Sequence, residues 1–204
     1  MENPQVKGSP GGGGDSLVAA KTAVRDRIST TRRRLSIAEL GAAARDIAEH
    51  LLSWPDVHRA ATVAAYASVG SEPGTGPLID GLAAARKRVL LPRLQPDNDL
   101  DWCVYTGILE SAPRGLLEPT GPLLGRDAVA TADVVIVPGM AVDAEGFRLG
   151  RGGGSYDRVL ARVPAGTFTC VLLYDGEVGV TLPVGAHDRP VKAAATPRGI
   201  TLLG

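Results

Sequence analysis

An α/β fold, a single three-layer domain around a mostly parallel central sheet, is predicted by three features of this 204-residue sequence. Apolar, β-prone runs alternate with segments of helical period, which is the rhythm of strand–helix–strand units. The strongest run, residues 132–137 (Ala-Asp-Val-Val-Ile-Val), is continuous rather than alternating, as expected of a strand buried on both faces. Aromatics are scarce, with two Trp, four Tyr and two Phe, so the core must be built from Ala, Val, Leu and Ile, whose small volumes suit helices packed closely on a sheet.

Residues 1–16 hold the leader Gly-Ser-Pro-Gly-Gly-Gly-Gly and are expected to be a disordered tail, because such residues bury too little surface to offset ordering entropy. Residues 17–204 are then the folded domain. Over residues 16–34, Leu17, Val24, Ile28 and Leu35 recur at helical spacings with Lys and Arg on the other face, predicting a helix. Ser36 and Glu39 form a capping-box pattern for a second helix, which Pro55 should stop. A strand is expected over 62–67, a helix over 77–86 and strands over 88–91 and 101–105. The Gly- and Pro-rich stretch 111–125 reads as a long ordered loop able to cover a site. Beyond the 132–137 strand come a helix over 156–162 and strands over 168–174 and 199–203.

Charge and cysteine content narrow the function. Lys+Arg and Asp+Glu both number 22, which gives no electrostatic reason to bind nucleic acid or anionic membranes. No apolar run reaches the length of a bilayer span, and no basic-then-apolar leader opens the chain. Cys103 and Cys170 make no disulfide framework, and His50, His58 and His187 have no zinc-finger spacing, so a cytoplasmic protein is expected. Both cysteines lie in apolar runs without a neighbouring histidine, which makes them packing residues rather than nucleophiles.

The chemistry-bearing segment is 147–158, Phe-Arg-Leu-Gly-Arg-Gly-Gly-Gly-Ser-Tyr-Asp-Arg, between a buried strand and a helix. Glycines let main-chain N–H groups approach an anion, the helix N-terminus adds positive potential, and Arg148 and Arg151 can neutralise phosphate. Glycine content alone fits a flexible connector equally well, and the arginines tilt the reading towards phosphate. Neither a P-loop lysine nor the third glycine of a dinucleotide fingerprint is present. Asp157 falls in the first helical turn, where interaction with the helix dipole is a sufficient explanation, although a carboxylate beside phosphates can also hold Mg²⁺. Lys21 and Arg25 share a helical face that could grip an anion, yet spacing alone favours a solvated basic surface. Glu72 follows a strand where an open α/β sheet places its ligand crevice, but most loop glutamates are simply hydrated. His187 and Asp188 read by default as surface turn residues.

Taken together and in order, these segments resemble the 5-formyltetrahydrofolate cyclo-ligases, also called 5,10-methenyltetrahydrofolate synthetases. The likeness runs through Lys21 and Arg25, Glu72, Leu91-Pro92-Arg93, Gly115 to Pro119, Val137 to Asp143, the glycine segment from Gly146 to Arg158, and His187-Asp188. It implies a fold similar to those of sugar-phosphate isomerases and CoA transferases, ATP as co-substrate with Mg²⁺, and conversion of 5-formyltetrahydrofolate to 5,10-methenyltetrahydrofolate with release of ADP and phosphate. In that chemistry the formyl oxygen takes the γ-phosphoryl group, and N10 then attacks the formyl carbon and expels phosphate. Carried across, Lys21, Arg151 and Tyr156 would be catalytic. Lys21, Arg25, Arg148, Leu149, Gly150, Arg151, Gly152, Gly153, Gly154, Ser155 and Tyr156 would bind ATP. Ala67, Glu72 and the segment from Arg151 to Ser155 would contact folate, and Asp157 and Asp188 would hold Mg²⁺. Ser155 replaces the first of a tyrosine pair common in the family, and Leu116-Leu117 stands where some members present tryptophan. A monomer with a small-molecule partner, and neither nucleic acid nor membrane, is expected. Two other readings remain open: a noncatalytic nucleotide- or folate-binding protein, and a sugar-phosphate isomerase with Glu72 as base.

Overall fold

The computed structural model describes residues 12–204. Residues 1–11, most of the stretch expected to be a disordered tail, lie outside the described residues. Helix α1 (Gly12–Arg32) begins within that stretch. Extending an existing helix needs no new nucleus, so adjoining glycines can be carried along.

Ser36 opens α2 (Ile37–Ser53) with both bonds of the expected capping box. Pro55 ends that helix and also begins α3 (Pro55–Arg59), where its fixed φ and missing N–H suit a first helical position. The chain continues through β1 (Thr62–Ala64), α4 (Gly76–Ala84), β2 (Arg88–Leu94) and β3 (Leu100–Val104). The 111–125 stretch is more regular than a loop. It contributes to a hairpin of β4 (Leu109–Ser111) and β5 (Leu117–Pro119) around a 3-10 turn (Pro113–Gly115). Then come β6 (Val134–Pro138), a second hairpin of β7 (Ala141–Val142) and β8 (Arg148–Leu149), α5 (Ser155–Arg162), β9 (Phe168–Leu172), β10 (Ala193–Thr196) and β11 (Gly199–Leu202).

The seven-stranded sheet has the order β11-β10-β9-β6-β1-β2-β3. Its five inner strands are mutually parallel, and the edge strands β3 and β11 run antiparallel to their neighbours. Alternate residues face opposite layers. Val63, Val89, Val134, Ile136, Cys170 and Leu172 pack with Ile47 and Leu51 of α2 and Leu78 and Leu82 of α4. Ala64, Leu90, Val135, Val137 and Val171 pack on the other face with Val159 and Leu160 of α5. Each fully buried Leu or Ile contributes on the order of 1.5–3 kcal/mol, and this double-faced burial is why the apolar runs were continuous.

Helix α1 stands apart from both layers. Its Ile28, with Val24 beside it, packs on Met140, Ala141 and Leu149 around the β7–β8 hairpin. Arg32 is buried there, donating to both carboxylate oxygens of Glu177 at 2.7 Å and to the Gly139 carbonyl at 2.8 Å. Burial alone would lower the Arg32 pKa, but the bonds and charge of Glu177 outweigh it and hold the guanidinium above its ordinary value.

Candidate active site

From β1 the chain reaches β2 on one side, whereas β6, β9 and β10 extend the sheet on the other. The carboxyl ends of strands at such a reversal leave a crevice that open α/β sheets use for ligands. Here it is a cavity of about 560 Å³. The segment after β1 supplies Tyr66, Ala67 and Glu72, β2 supplies Pro92 and Leu94, and the end of β6 supplies Pro138 and Gly139.

The glycine segment lies along this cavity from Arg148 to Asp157, including Leu149, Gly150, Gly152, Gly153 and Ser155. It leaves the short, buried hairpin strand β8 and leads directly into α5, so it lies between the buried strand β6 and a helix, as expected. Glycine is required at Gly152 and Gly154, whose φ values of 102° and 68° disfavour any residue with a Cβ. Lys21 and Arg25 of α1 also line the cavity, so the solvated-face reading of that pair gives way. Arg25 Nε donates to the Gly150 carbonyl at 2.8 Å, and a Cβ at Gly152 would lie 3.6 Å from the Arg25 guanidinium.

Arg148 is buried, with Nη2 donating to Asp157 Oδ1 at 3.0 Å and its Cζ 5.7 Å from the centroid of the Tyr156 ring. Burial lowers its pKa, opposed by the charge of Asp157, and its buried Nε has no hydrogen-bond partner. An unpaired N–H of this kind is costly unless an anion or water meets it. Asp157 stands in the first turn of α5, as the helix-end reading expects, and its carboxylate also accepts from Arg148.

Glu72 is buried, unlike a typical hydrated loop glutamate. Its Oε2 accepts from the Val69 amide at 2.9 Å, and its Oε1 lies 3.1 Å from Arg151 Nε. Burial raises its pKa above the ordinary carboxylate value, against the pull of the Val69 amide and of Arg151. Tyr66 meets Tyr156 edge to face at 6.4 Å, and its buried hydroxyl has no partner. Arg151 is half exposed and also donates to the Val69 carbonyl, so it links the pterin-expected Glu72 loop to the phosphate-expected glycine segment.

Asp188 lines the cavity too, closing a turn in which its Oδ2 accepts from the Gly185 amide at 2.7 Å and from Lys21 Nζ at 2.5 Å. Burial opposes ionisation, but the bonds from Lys21 and Gly185 prevail and hold its pKa below the ordinary value. His187 is exposed, as a turn residue would be. No group of three or more His, Cys, Asp or Glu side chains suited to a metal occurs among the described residues. Asp157 and Asp188 nevertheless fit an Mg²⁺ that arrives with phosphates. Their hydrogen bonds engage Oδ1 of one and Oδ2 of the other, and Mg²⁺ commonly takes only one or two carboxylates beside phosphate oxygens and water.

Cys103 and Cys170 are buried free thiols, and burial raises the pKa of each, which leaves them in packing roles. Sequence reasoning passed over Tyr66, Asn98 and Arg114 as cavity residues. Asn98 carried a faint signal, a Pro-Asp-Asn-Asp turn between two strand patterns. Arg114 carried little beyond its Pro-Arg-Gly setting.

The parallel sheet, the crevice at its reversal and a glycine segment flanked by guanidiniums define an α/β ligand-binding domain of an anion-handling enzyme. The chain belongs to the 5-formyltetrahydrofolate cyclo-ligase family, whose model matches residues 18–197. It is 42% identical over 149 residues to a Mycolicibacterium smegmatis 5-formyltetrahydrofolate cyclo-ligase, covering 70% of this chain and 77% of the relative. The Escherichia coli 5-formyltetrahydrofolate cyclo-ligase is 34% identical over 180 residues, 83% of this chain and 96% of that one. The solved structure of Aquifex aeolicus 5,10-methenyltetrahydrofolate synthetase superposes with a TM-score of 0.76 at 28% identity, covering 90% of this chain and 92% of that chain. The family membership agrees with the resemblance drawn from the motifs, as the mixed α/β fold does with the class expected. Among the described residues no helix is long and apolar enough to cross a membrane.

Proposed function

We propose that this enzyme converts 5-formyltetrahydrofolate to 5,10-methenyltetrahydrofolate with MgATP, releasing ADP and phosphate, as a cytoplasmic monomer. One observation carries the proposal: a single cavity brings Lys21, Arg25, Arg148 and the glycine segment together with the buried Glu72. A phosphate donor and a reduced pterin can therefore meet across Arg151. Lys21, Arg25, Arg148 and Arg151 supply positive charge around the triphosphate, and the amides from Gly152 to Gly154 approach it without side-chain obstruction. Asp157 and Asp188 would hold the Mg²⁺, which when bound neutralises phosphate charge.

Such a site performs little covalent chemistry itself, and its work is positioning and charge stabilisation during phosphoryl transfer. Glu72 would accept a hydrogen bond from a pterin N–H, most strongly in its ionised form. Ala67 leaves room beside it, and Tyr156 supplies an apolar wall. Arg151 would exchange part of its bond to Glu72 for a phosphate oxygen as both ligands enter. Leu116 and Leu117 of the β4–β5 hairpin line the cavity and help to exclude water from a reacting phosphate.

Absorbance of the methenyl product tests the proposal. Product should form only when 5-formyltetrahydrofolate, ATP and Mg²⁺ are all present, with stoichiometric phosphate. Binding of ATP without any methenyl product would favour a noncatalytic binder, and turnover of a sugar phosphate without ATP would favour an isomerase.

A further inference from the structure

We propose that Arg114, presented by Asn98 at the rim of the cavity, binds a carboxylate of the substrate's glutamyl tail. The proposal rests on the folate reading above. It adds a subsite at the end of the ligand remote from the reacting formyl group.

The first support is charge. Of the other arginines lining the cavity, Arg148 and Arg151 stand within ion-pair distance of a carboxylate and Arg25 is engaged by the Gly150 carbonyl in the phosphate-facing segment. Arg114 lines the same cavity, is exposed, and among the described residues has no such partner. Glu118, the acid of the hairpin that lines the same cavity, is engaged by the Leu94 amide at 2.8 Å and by Arg93 at 3.6 Å. The guanidinium of Arg114 makes one bond, from Nη1 to Asn98 Oδ1 at 2.9 Å, and a fork of five N–H donors therefore retains most of its capacity.

The second support is that the arrangement is formed before any ligand arrives. Arg114 has φ 64°, a left-handed conformation that a long side chain keeps only when its surroundings impose it, and Asn98, of a type that adopts that region readily, has φ 61°. The Asn98 carbonyl accepts from Ser155 Oγ at 2.5 Å and from Arg158 Nη2 at 2.6 Å. The adjoining Asp99 is buried and takes two bonds from Arg162, at 3.0 and 2.6 Å. Ser155 thus helps to pin the turn that aims Asn98 at Arg114.

The third support is the sequence of surfaces a folate would meet. Glu72 suits the pterin, and Pro92, Leu94, Leu116 and Leu117 provide an apolar wall of the kind an aminobenzoyl ring needs. A glutamyl group follows that ring, carries its charge on carboxylates, and would emerge at the exposed rim. An arginine with open donors is the side chain suited to meet it.

Steady-state kinetics with two substrates tests the assignment: 5-formyltetrahydrofolate, and the 5-formyltetrahydropteroyl amide in which a carboxamide replaces the glutamyl residue. Arg114→Ala should raise KM for the first by roughly 10-fold, the scale of one charge-assisted contact, and that penalty should vanish for the amide. Arg114→Lys should recover part of the loss, since it keeps the charge without the fork. An unchanged KM in Arg114→Ala, or an equal rise for both substrates, overturns the tail subsite while leaving the cyclo-ligase reading intact. Absence of methenyl product from the parent protein with either substrate overturns both.

Discussion

Removing the Glu177 carboxylate should reveal what holds α1, and with it Lys21 and Arg25, against the site. Arg32 and Glu177 have side chains only 2% and 8% exposed, so neither charge could be rehydrated cheaply if its partner were lost. Both carboxylate oxygens accept from Arg32 at 2.7 Å, and Oε2 also accepts from the Tyr174 amide at 2.9 Å. Glu177→Ala leaves a buried guanidinium with the Gly139 carbonyl and the face of Tyr174, whose centroid is 5.3 Å away. Breaking a buried pair in this way costs about 3–5 kcal/mol. For a domain of this size each kcal/mol shifts Tm by about 2–4 °C, so thermal denaturation followed by circular dichroism should fall by roughly 6–20 °C. Nucleotide affinity at a temperature where the variant stays folded should also weaken, because the helix carrying Lys21 and Arg25 loses an anchor. Arg32→Met combined with Glu177→Leu removes both charges and should regain most of the stability. A loss below about 1 kcal/mol in Glu177→Ala, or a double variant as unstable as the single one, would refute the reasoning.

Three further outcomes follow from the site. Arg151→Ala should lower kcat/KM for ATP by about 100–1,000-fold, the range of one lost donor to developing transition-state charge, and unchanged kinetics in the folded variant would remove Arg151 from the reaction. Asp157→Asn should raise the Mg²⁺ concentration needed for half-maximal rate, and an unchanged Mg²⁺ dependence would leave its bond to Arg148 as its whole role. Asp188→Asn should cost about 1 kcal/mol at neutral pH, because its native pKa is lowered and its contribution is present above the unfolded value near 3.8. That difference should shrink as pH falls from about 5 through the depressed native pKa, measured by denaturant melts of parent and variant, and a gap that widened on acidification would contradict the sign.

The strands with the clearest sequence signal were those whose burial is total. The Val-Val-Ile-Val run becomes β6 between two parallel neighbours, where both faces must be apolar. Strand β10, Ala193–Thr196, was not anticipated, because alanine has little intrinsic strand preference. Its placement comes from neighbours, since Ala193 and Ala195 pack in the layer beneath Ile47 and Leu51. The β4–β5 hairpin was hidden likewise, in a stretch whose Gly and Pro content spoke only of turns.

Local order in the sequence was enough to determine the Ser36 capping box, the buried cysteines and the glycine segment, because each depends on residues a few positions apart or on side-chain type alone. The family likeness also rests on such local motifs, taken in succession. Tertiary structure decided which charges meet. Lys21 reaches Asp188 across 167 positions of sequence, and Arg151 reaches a glutamate from a different strand's loop. It also gave Asp157, in the first turn of its helix, Arg148 as a partner and set the otherwise inconspicuous Arg114 on the cavity rim. Spacing along a chain specifies a face of a helix or strand, whereas the partner of a charge depends on which faces the folded layers bring together.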